Sequence, residues 1–245
     1  MTSDKQRIDL RHGDWRLVLD SAPDVDAVIC DPPYGARTHA GNTNLRQRFT
    51  LQEHEARRDL SYAAWTPDDV RWFVKHWSAR CRGWMVALTS DDLIAVWRSA
   101  YADAGRLDFS PVPVIQDRVR MGGDGPASCA VYLMAARPRR REFLSWGALP
   151  GWYRATTERA GHIGGKPLSL MSRLVTDYSR PGQLVCDPCA GYGTTLVAAY
   201  QTGRRAIGAE IDHATWQAAS ERVAATLRQP LLFTDEASAE QIDLW

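Results

Sequence analysis

The run Val25–Cys30 is followed at once by Asp31-Pro32-Pro33-Tyr34. A buried strand that meets two prolines cannot continue its ladder, because proline has no N–H to donate. The chain must leave the sheet there, at the carboxyl edge, where open α/β sheets place their ligands. It arrives with one carboxylate, one proline carbonyl and one aromatic face, a set suited to a planar base bearing an exocyclic amine. Without a second signal the same four residues read equally well as a strand and a Pro-rich turn.

Leu184–Gly203, LVCDPCAGYGTTLVAAYQTG, supplies that signal. An apolar strand ends at Asp187, a turn of small residues follows, and an Ala-rich helix begins near Thr194. Gly191 and Gly193 permit close backbone approach to a ligand and leave N–H groups free at the helix start. Beyond them a strand, Arg205–Ile211, carries Glu210 near its end, followed by Asp212. An acid in that place accepts ribose hydroxyls in nucleotide-binding α/β halves. The turn is GxG only, which does not extend to a dinucleotide fingerprint.

The rest of the chain alternates strand and helix patterns. Strands are expected at Arg7–Asp14, Asp24–Cys30, Gly83–Thr89, Ser110–Gln116 and Cys129–Ala136, the last two antiparallel. Helices are expected at Trp15–Ser21, from Thr66-Pro67 to Arg80, from Ser90-Asp91-Asp92 to Ala104, and at Lys166–Ser179 and His213–Leu227, with Thr66 and Ser90 as N-caps. Asp14 reads as an N-cap for the first helix. Trp65, Trp72, Trp77, Trp84 and Trp97 read as core, and His39, His54 and His76 as surface or loop residues. Gly35–Leu60 has no period and reads as a functional loop. The acidic stretch 229–245 reads as a flexible tail on a single domain, 1–228.

Asp-Pro-Pro-Tyr near the amino end and DPCAGYGTT near the carboxyl end, with His162-Ile163-Gly164-Gly165-Lys166-Pro167 before the latter, resemble the beta-group amino DNA methyltransferases. Cys189, Tyr192 and Ile163 stand where members of that group more often carry Phe, Ser and Pro. The resemblance implies a circularly permuted Rossmann-type α/β sheet with helices on both faces and a small target-recognition insertion, expected at 110–161. It implies S-adenosylmethionine as cofactor, held by Asp14, Lys166, Asp187, Cys189, Gly191, Gly193, Thr194 and Glu210. Lys166 would meet the methionine carboxylate, and Asp14 would lie near the adenine. Asp31, Pro32 and Tyr34 would be catalytic: the Asp31 carboxylate and Pro32 carbonyl accept the amine N–H groups, and Tyr34 stacks on a flipped base. Adenine N6 is the expected target, because cytosine-N4 enzymes more often have Ser at the position of Asp31. Cytosine N4, adenine in structured RNA, and a non-catalytic nucleic-acid-binding protein are the rivals; the permuted order favours DNA over RNA.

Double-stranded DNA is the implied partner, and the resemblance admits a homodimer and a place in a restriction-modification system. The net charge is only +1, but Thr234–Trp245 holds four acids and no base, which leaves 30 basic and 25 acidic residues in the body. Arg37, Arg46, Arg48, Arg137, Arg139, Arg140 and Arg141 are the expected phosphate contacts. Arginine outnumbers lysine 27 to 3, a bias that reads as genomic composition. The chain ends QIDLW, in which Gln241, Leu244 and Trp245 resemble the short peptides that dock on the bacterial sliding clamp. Cys186 and Cys189 form a CxxC, but the Gly-Tyr-Gly-Thr-Thr continuation argues against thiol redox chemistry, and no second pair suggests zinc. Five scattered cysteines, no long apolar run and no apolar core in MTSDKQRIDL lead us to expect a reducing, cytoplasmic setting with no membrane contact.

Overall fold

In the computed structural model, which describes residues 7–36, 64–117, 128–156 and 165–228, nine strands join in one sheet. The strands are β1 (Ile8–His12), β2 (Ala27–Cys30), β3 (Met85–Thr89), β4 (Leu107–Asp108), β5 (Val112–Gln116), β6 (Ala130–Arg137), β7 (Tyr153–Ala155), β8 (Leu184–Asp187) and β9 (Arg205–Glu210). Among the described residues six α-helices accompany them: α1 (Trp15–Val18), α2 (Pro67–Arg80), α3 (Ile94–Asp103), α4 (Leu168–Tyr178), α5 (Thr194–Gln201) and α6 (His213–Leu227).

The spatial order is β1-β9-β8-β2-β3-β6-β5-β7, with β4 pairing the end of β6. The chain order is therefore permuted as expected: β1 lies parallel to β9, with His12 opposite Glu210. β8 and β2 meet at the centre, Val28 opposite Cys186. β6 alone runs against its neighbours; β3 and β5 pair it antiparallel, and β7 pairs β5 parallel.

Alternation along the central strands sorts side chains to two cores. Ala27 and Ile29 of β2 and Val86 and Leu88 of β3 face a layer built by α4, α5 and α6, including Leu174, Val175 and Leu196. Val28, Cys30, Met85 and Ala87 face the other way, onto Phe73 and Trp77 of α2 and Trp97 and Tyr101 of α3. Each fully buried Leu, Ile or Val contributes about 1.5–3 kcal/mol.

Several helix starts are as read. Thr66 and Asp69 form a reciprocal capping box, and Asp14 accepts the Arg16 N–H at 3.0 Å. Others differ. Ser90 makes no cap: its Oγ donates to Asp92 and accepts from Gly35 N (3.3 Å), and a 3₁₀ turn, Asp91–Leu93, precedes α3. α4 begins at Leu168, so Lys166 stands in the approach to the helix, ahead of Pro167 at the N-cap. The expected core position of Trp72 is not realised. It is 44% exposed and stacks on His76, because the core-facing stripe of α2 is Val70, Phe73, Val74 and Trp77 and position 72 falls beside it. In the described part of 110–161, β5, β6 and β7 extend the main sheet. The tail 229–245, with Gln241, Leu244 and Trp245, lies outside the described residues, as does most of Gly35–Leu60, with His39 and His54.

Candidate active site

β2 delivers Asp31 to the carboxyl edge, between the ends of β8 and β3. Pro32 is buried, and Asp31 and Tyr34 are half-buried. The Tyr34 hydroxyl donates to Asp31 Oδ1 at 2.8 Å. The Lys166 ammonium donates to Asp31 Oδ2 and stands 5.0 Å from the centre of the Tyr34 ring. Lys166, expected at a cofactor carboxylate, is thus placed on Asp31.

The neighbouring turn is shaped by its glycines. Gly191 (φ 51°) and Gly193 (φ 73°) both sit in the left-handed region that other residues enter at a cost, and Gly193 is the N-cap of α5. Their backbone is pinned to β9: Ala190 N donates to Ala209 O at 2.8 Å, and Gly191 N to Glu210 Oε2 at 2.9 Å. A close approach holds the layers together, since a Cβ on Gly208 would meet Asp187 O at 2.7 Å and Leu196 at 3.1 Å. Thr194, expected to face a cofactor, is buried, and its hydroxyl accepts from Arg222 Nη1 at 2.9 Å.

Four acids converge here. Asp187 is 2% exposed, and burial raises its pKa to about 7, helped by the charges of Asp31 and Glu210 and opposed by hydrogen bonds from Thr195 and Cys189 N. Burial also raises Glu210, against the backbone N–H groups of Asp212 (2.8 Å) and Gly191. Asp14 is lowered, chiefly by the Arg16 side chain, whose Nε lies 2.8 and 2.9 Å from its two oxygens. The Cys189 thiol stands among all four: burial first, then Asp187, Glu210, Asp31 and Asp14, push it well above the ordinary thiol range. Cys186 is fully buried, and burial raises its thiol as well, the opposite of the lowered pKa that marks a reactive cysteine. Burial is the first cause of both raised values, and two buried acids close to Asp31 suit a ligand that brings positive charge.

These observations also test the fit of the implied cofactor. Two positive-φ glycines open the turn, and α5 begins directly behind it. Glu210 offers a carboxylate where β9 ends, and the converging acids suit a sulfonium charge. The residues present fit S-adenosylmethionine.

Other expected residues do not join the site. β6 runs backwards, so its end carries Arg137 to the amino edge of the sheet, opposite Asp31. Arg137 packs its guanidinium 5.6–6.0 Å from the rings of Phe109, Phe143 and Trp84. Arg139, Arg140 and Arg141 follow it there, exposed, with Arg140 3.7 Å from Glu142. The run expected to contact phosphates therefore lies at the edge of the sheet away from Asp31, because β6 is reversed. Arg37, Arg46, Arg48, His162 and Ile163 lie outside the described residues. Conversely, Thr195, at the end of the glycine motif, Ser90 and Asp92, read only as a helix start, and Arg222, which carries no local motif, belong to the site's frame. Among the described residues no group of three His, Cys, Asp or Glu could hold a metal, and no helix is long and apolar enough to cross a membrane.

Known proteins resemble this chain in sequence or in fold. YubD of Escherichia coli (strain K12), an inferred methylase, is 28% identical over 224 residues, 88% of this chain and 90% of its own. An inferred DNA modification methylase of Thermus thermophilus, complexed with S-adenosyl-L-methionine, superposes with a TM-score of 0.63 at 23% identity, covering 91% of this chain and 95% of that one. The cytosine-N4-specific PvuII DNA methyltransferase gives 0.61 at 15% identity, covering 94% and 89%. The family model described as DNA methylase matches residues 90–221, more than half of the sequence. Its span takes in the glycine turn, Asp187 and Glu210, and with the permuted sheet it makes this chain a member of the N6/N4 DNA methylase family.

Proposed function

We propose that this protein transfers a methyl group from S-adenosylmethionine to the N6 amine of adenine within a short site in duplex DNA. The observation that carries the reading is the placement of Asp31 and Tyr34 at the sheet edge occupied by Asp187, Glu210 and the glycine turn. The cofactor, when bound, supplies a methyl group already activated on a sulfonium. The protein therefore has to align and to polarise rather than to build a reactive intermediate.

An adenine amine is a weak nucleophile because its lone pair is delocalised into the ring. In this reading an Asp31 oxygen accepts one N–H and the Pro32 carbonyl accepts the other, which favours a tetrahedral nitrogen as the new bond forms. Tyr34 provides a stacking face for a base drawn out of the duplex. A carboxylate offers about four lone-pair sites, so the Tyr34 hydroxyl on Asp31 leaves room for the amine. Glu210 receives the ribose hydroxyls, and Asp187 and Glu210 together favour the cationic cofactor over its neutral product.

Asp31 at the head of the edge sequence supports adenine over cytosine N4. Target recognition is assigned to 110–161, with help from 35–60. Docking on a sliding clamp through Gln241, Leu244 and Trp245 rests on sequence alone, and a pull-down with and without 241–245 tests it. A homodimer rests on the resemblance.

Single-molecule sequencing of DNA from cells expressing the protein tests the assignment directly. N6-methyladenine in one fixed context is expected. N4-methylcytosine would transfer the reading to the other amine, and unmodified DNA would favour a non-catalytic binding protein.

A further inference from the structure

We propose that Lys166 occupies the place of the target amine in the ligand-free protein and gives it up when the cofactor's carboxylate arrives. Its ammonium makes one contact that the reading above gives to the target amine, the hydrogen bond to Asp31, and lies over the Tyr34 ring that the reading gives to the base. The Lys166 side chain is only 16% exposed, so the charge is turned inward rather than left in solvent. A base cannot occupy the same space while the ammonium is there.

The lysine is placed to move. It precedes α4 and has no helical turn of its own, and a four-carbon stem carries its charge. An ammonium leaving Asp31 needs another anion, and the nearby acids are engaged. Asp14 is held by Arg16, Glu210 by the N–H groups of Gly191 and Asp212, and Asp187 by Cys189 N at 3.1 Å. Of the charged groups that S-adenosylmethionine brings, one is a carboxylate. Transfer of Lys166 to it clears Asp31 and the Tyr34 face together, so that base capture follows cofactor binding. Lys166 is then a positioning residue that couples two ligands through one cation. This inference rests on the methyl-transfer reading for the identity of the ligands.

The chain has three lysines, Lys5, Lys75 and Lys166, so protein labelled with 13Cε-lysine gives three side-chain NMR signals, with Lys166 assigned by its loss in Lys166→Arg. Asp31→Asn is expected to shift the Lys166 signal in the free protein. That difference is expected to vanish when both proteins are saturated with S-adenosylhomocysteine, which retains the carboxylate; calorimetry sets the saturating concentration. A difference that persists at saturation means the lysine stays on Asp31 and overturns the exchange. No difference in the free protein means the pair is not formed, which also overturns it. Asp31→Ser gives the same comparison if Asp31→Asn does not fold. The lysine signals need no DNA, so this inference fails separately from the methyl-transfer reading, which fails on unmodified DNA. A protein that binds no S-adenosylhomocysteine overturns both.

Discussion

The two edges of the sheet carry opposite charges for opposite purposes. At the amino edge, buried and half-buried arginines satisfy loop carbonyls. Arg106, 3% exposed, donates to the carbonyls of Cys81 (3.3 Å) and Gly83. Arg80 reaches those of Leu19 and Asp20 at 3.1 and 3.0 Å, and Arg204 that of Ser179 at 2.9 Å. Burial holds the Arg204 pKa down to about 10, yet the guanidinium remains charged at neutral pH. At the carboxyl edge, Asp187 and Glu210 have raised pKa values and stand close to Asp31 and Asp14. Arginine here holds a fold together, and carboxylate prepares a site. A count of basic residues therefore says little about DNA contact in this chain.

Replacing the buried acid should separate the two purposes most sharply. The folded-state pKa of Asp187 is raised from 3.8 to about 7. The folded protein thus keeps a proton that the unfolded chain releases, and stability falls as pH rises from about 4 to about 7, then levels off. Asp187→Asn removes that loss. Urea denaturation should show it to be more stable than the parent by up to about 4 kcal/mol above pH 7, with no gain below pH 4. Cofactor affinity should fall in the same variant. A variant no more stable at pH 8 than at pH 4, relative to the parent, would remove the idea of an edge that trades stability for a ligand.

Glu210→Ala should weaken S-adenosylmethionine binding by roughly 1–3 kcal/mol, the scale for losing a charged acceptor. Calorimetric titration reads this, and unchanged affinity would reduce Glu210 to an anchor for Gly191 and Asp212. The smallest effect belongs to the opposite edge. Alanine at Arg139, Arg140 and Arg141 together should leave methyl transfer within about twofold of the parent, because these side chains are exposed and far from Asp31. A tenfold loss would return that run to the DNA interface and break the contrast.

How much of this was readable beforehand follows from the range of each interaction. Strand ends and turns are local, so the Asp31 edge, the glycine turn and Glu210 could be read from neighbouring residues. The permuted order followed from where those pieces fall in the chain. Partners distant in sequence could not be read. Lys166 meets Asp31 across 135 positions, and Gly35 meets Ser90 across 55. Neither pairing leaves a periodic trace, so Lys166 was assigned to a cofactor and Ser90 to a helix cap. The antiparallel pairing of Ser110–Gln116 with Cys129–Ala136 could be read, but not which of the two runs against the rest of the sheet, and the reversal of β6 decides on which edge Arg137 lies. β7, only three residues long, pairs β5 with too little pattern to announce itself.

The central claim is that Asp31 serves the target amine while a different part of the same edge holds the cofactor. Asp31→Ala tests it in a paired measurement of S-adenosylmethionine binding by calorimetry and methyl transfer by radiolabel. The expected result is near-parental cofactor affinity with transfer reduced by at least about 10²–10³-fold, the scale for removing one group aimed at a transition state. Parental turnover in Asp31→Ala would contradict the account.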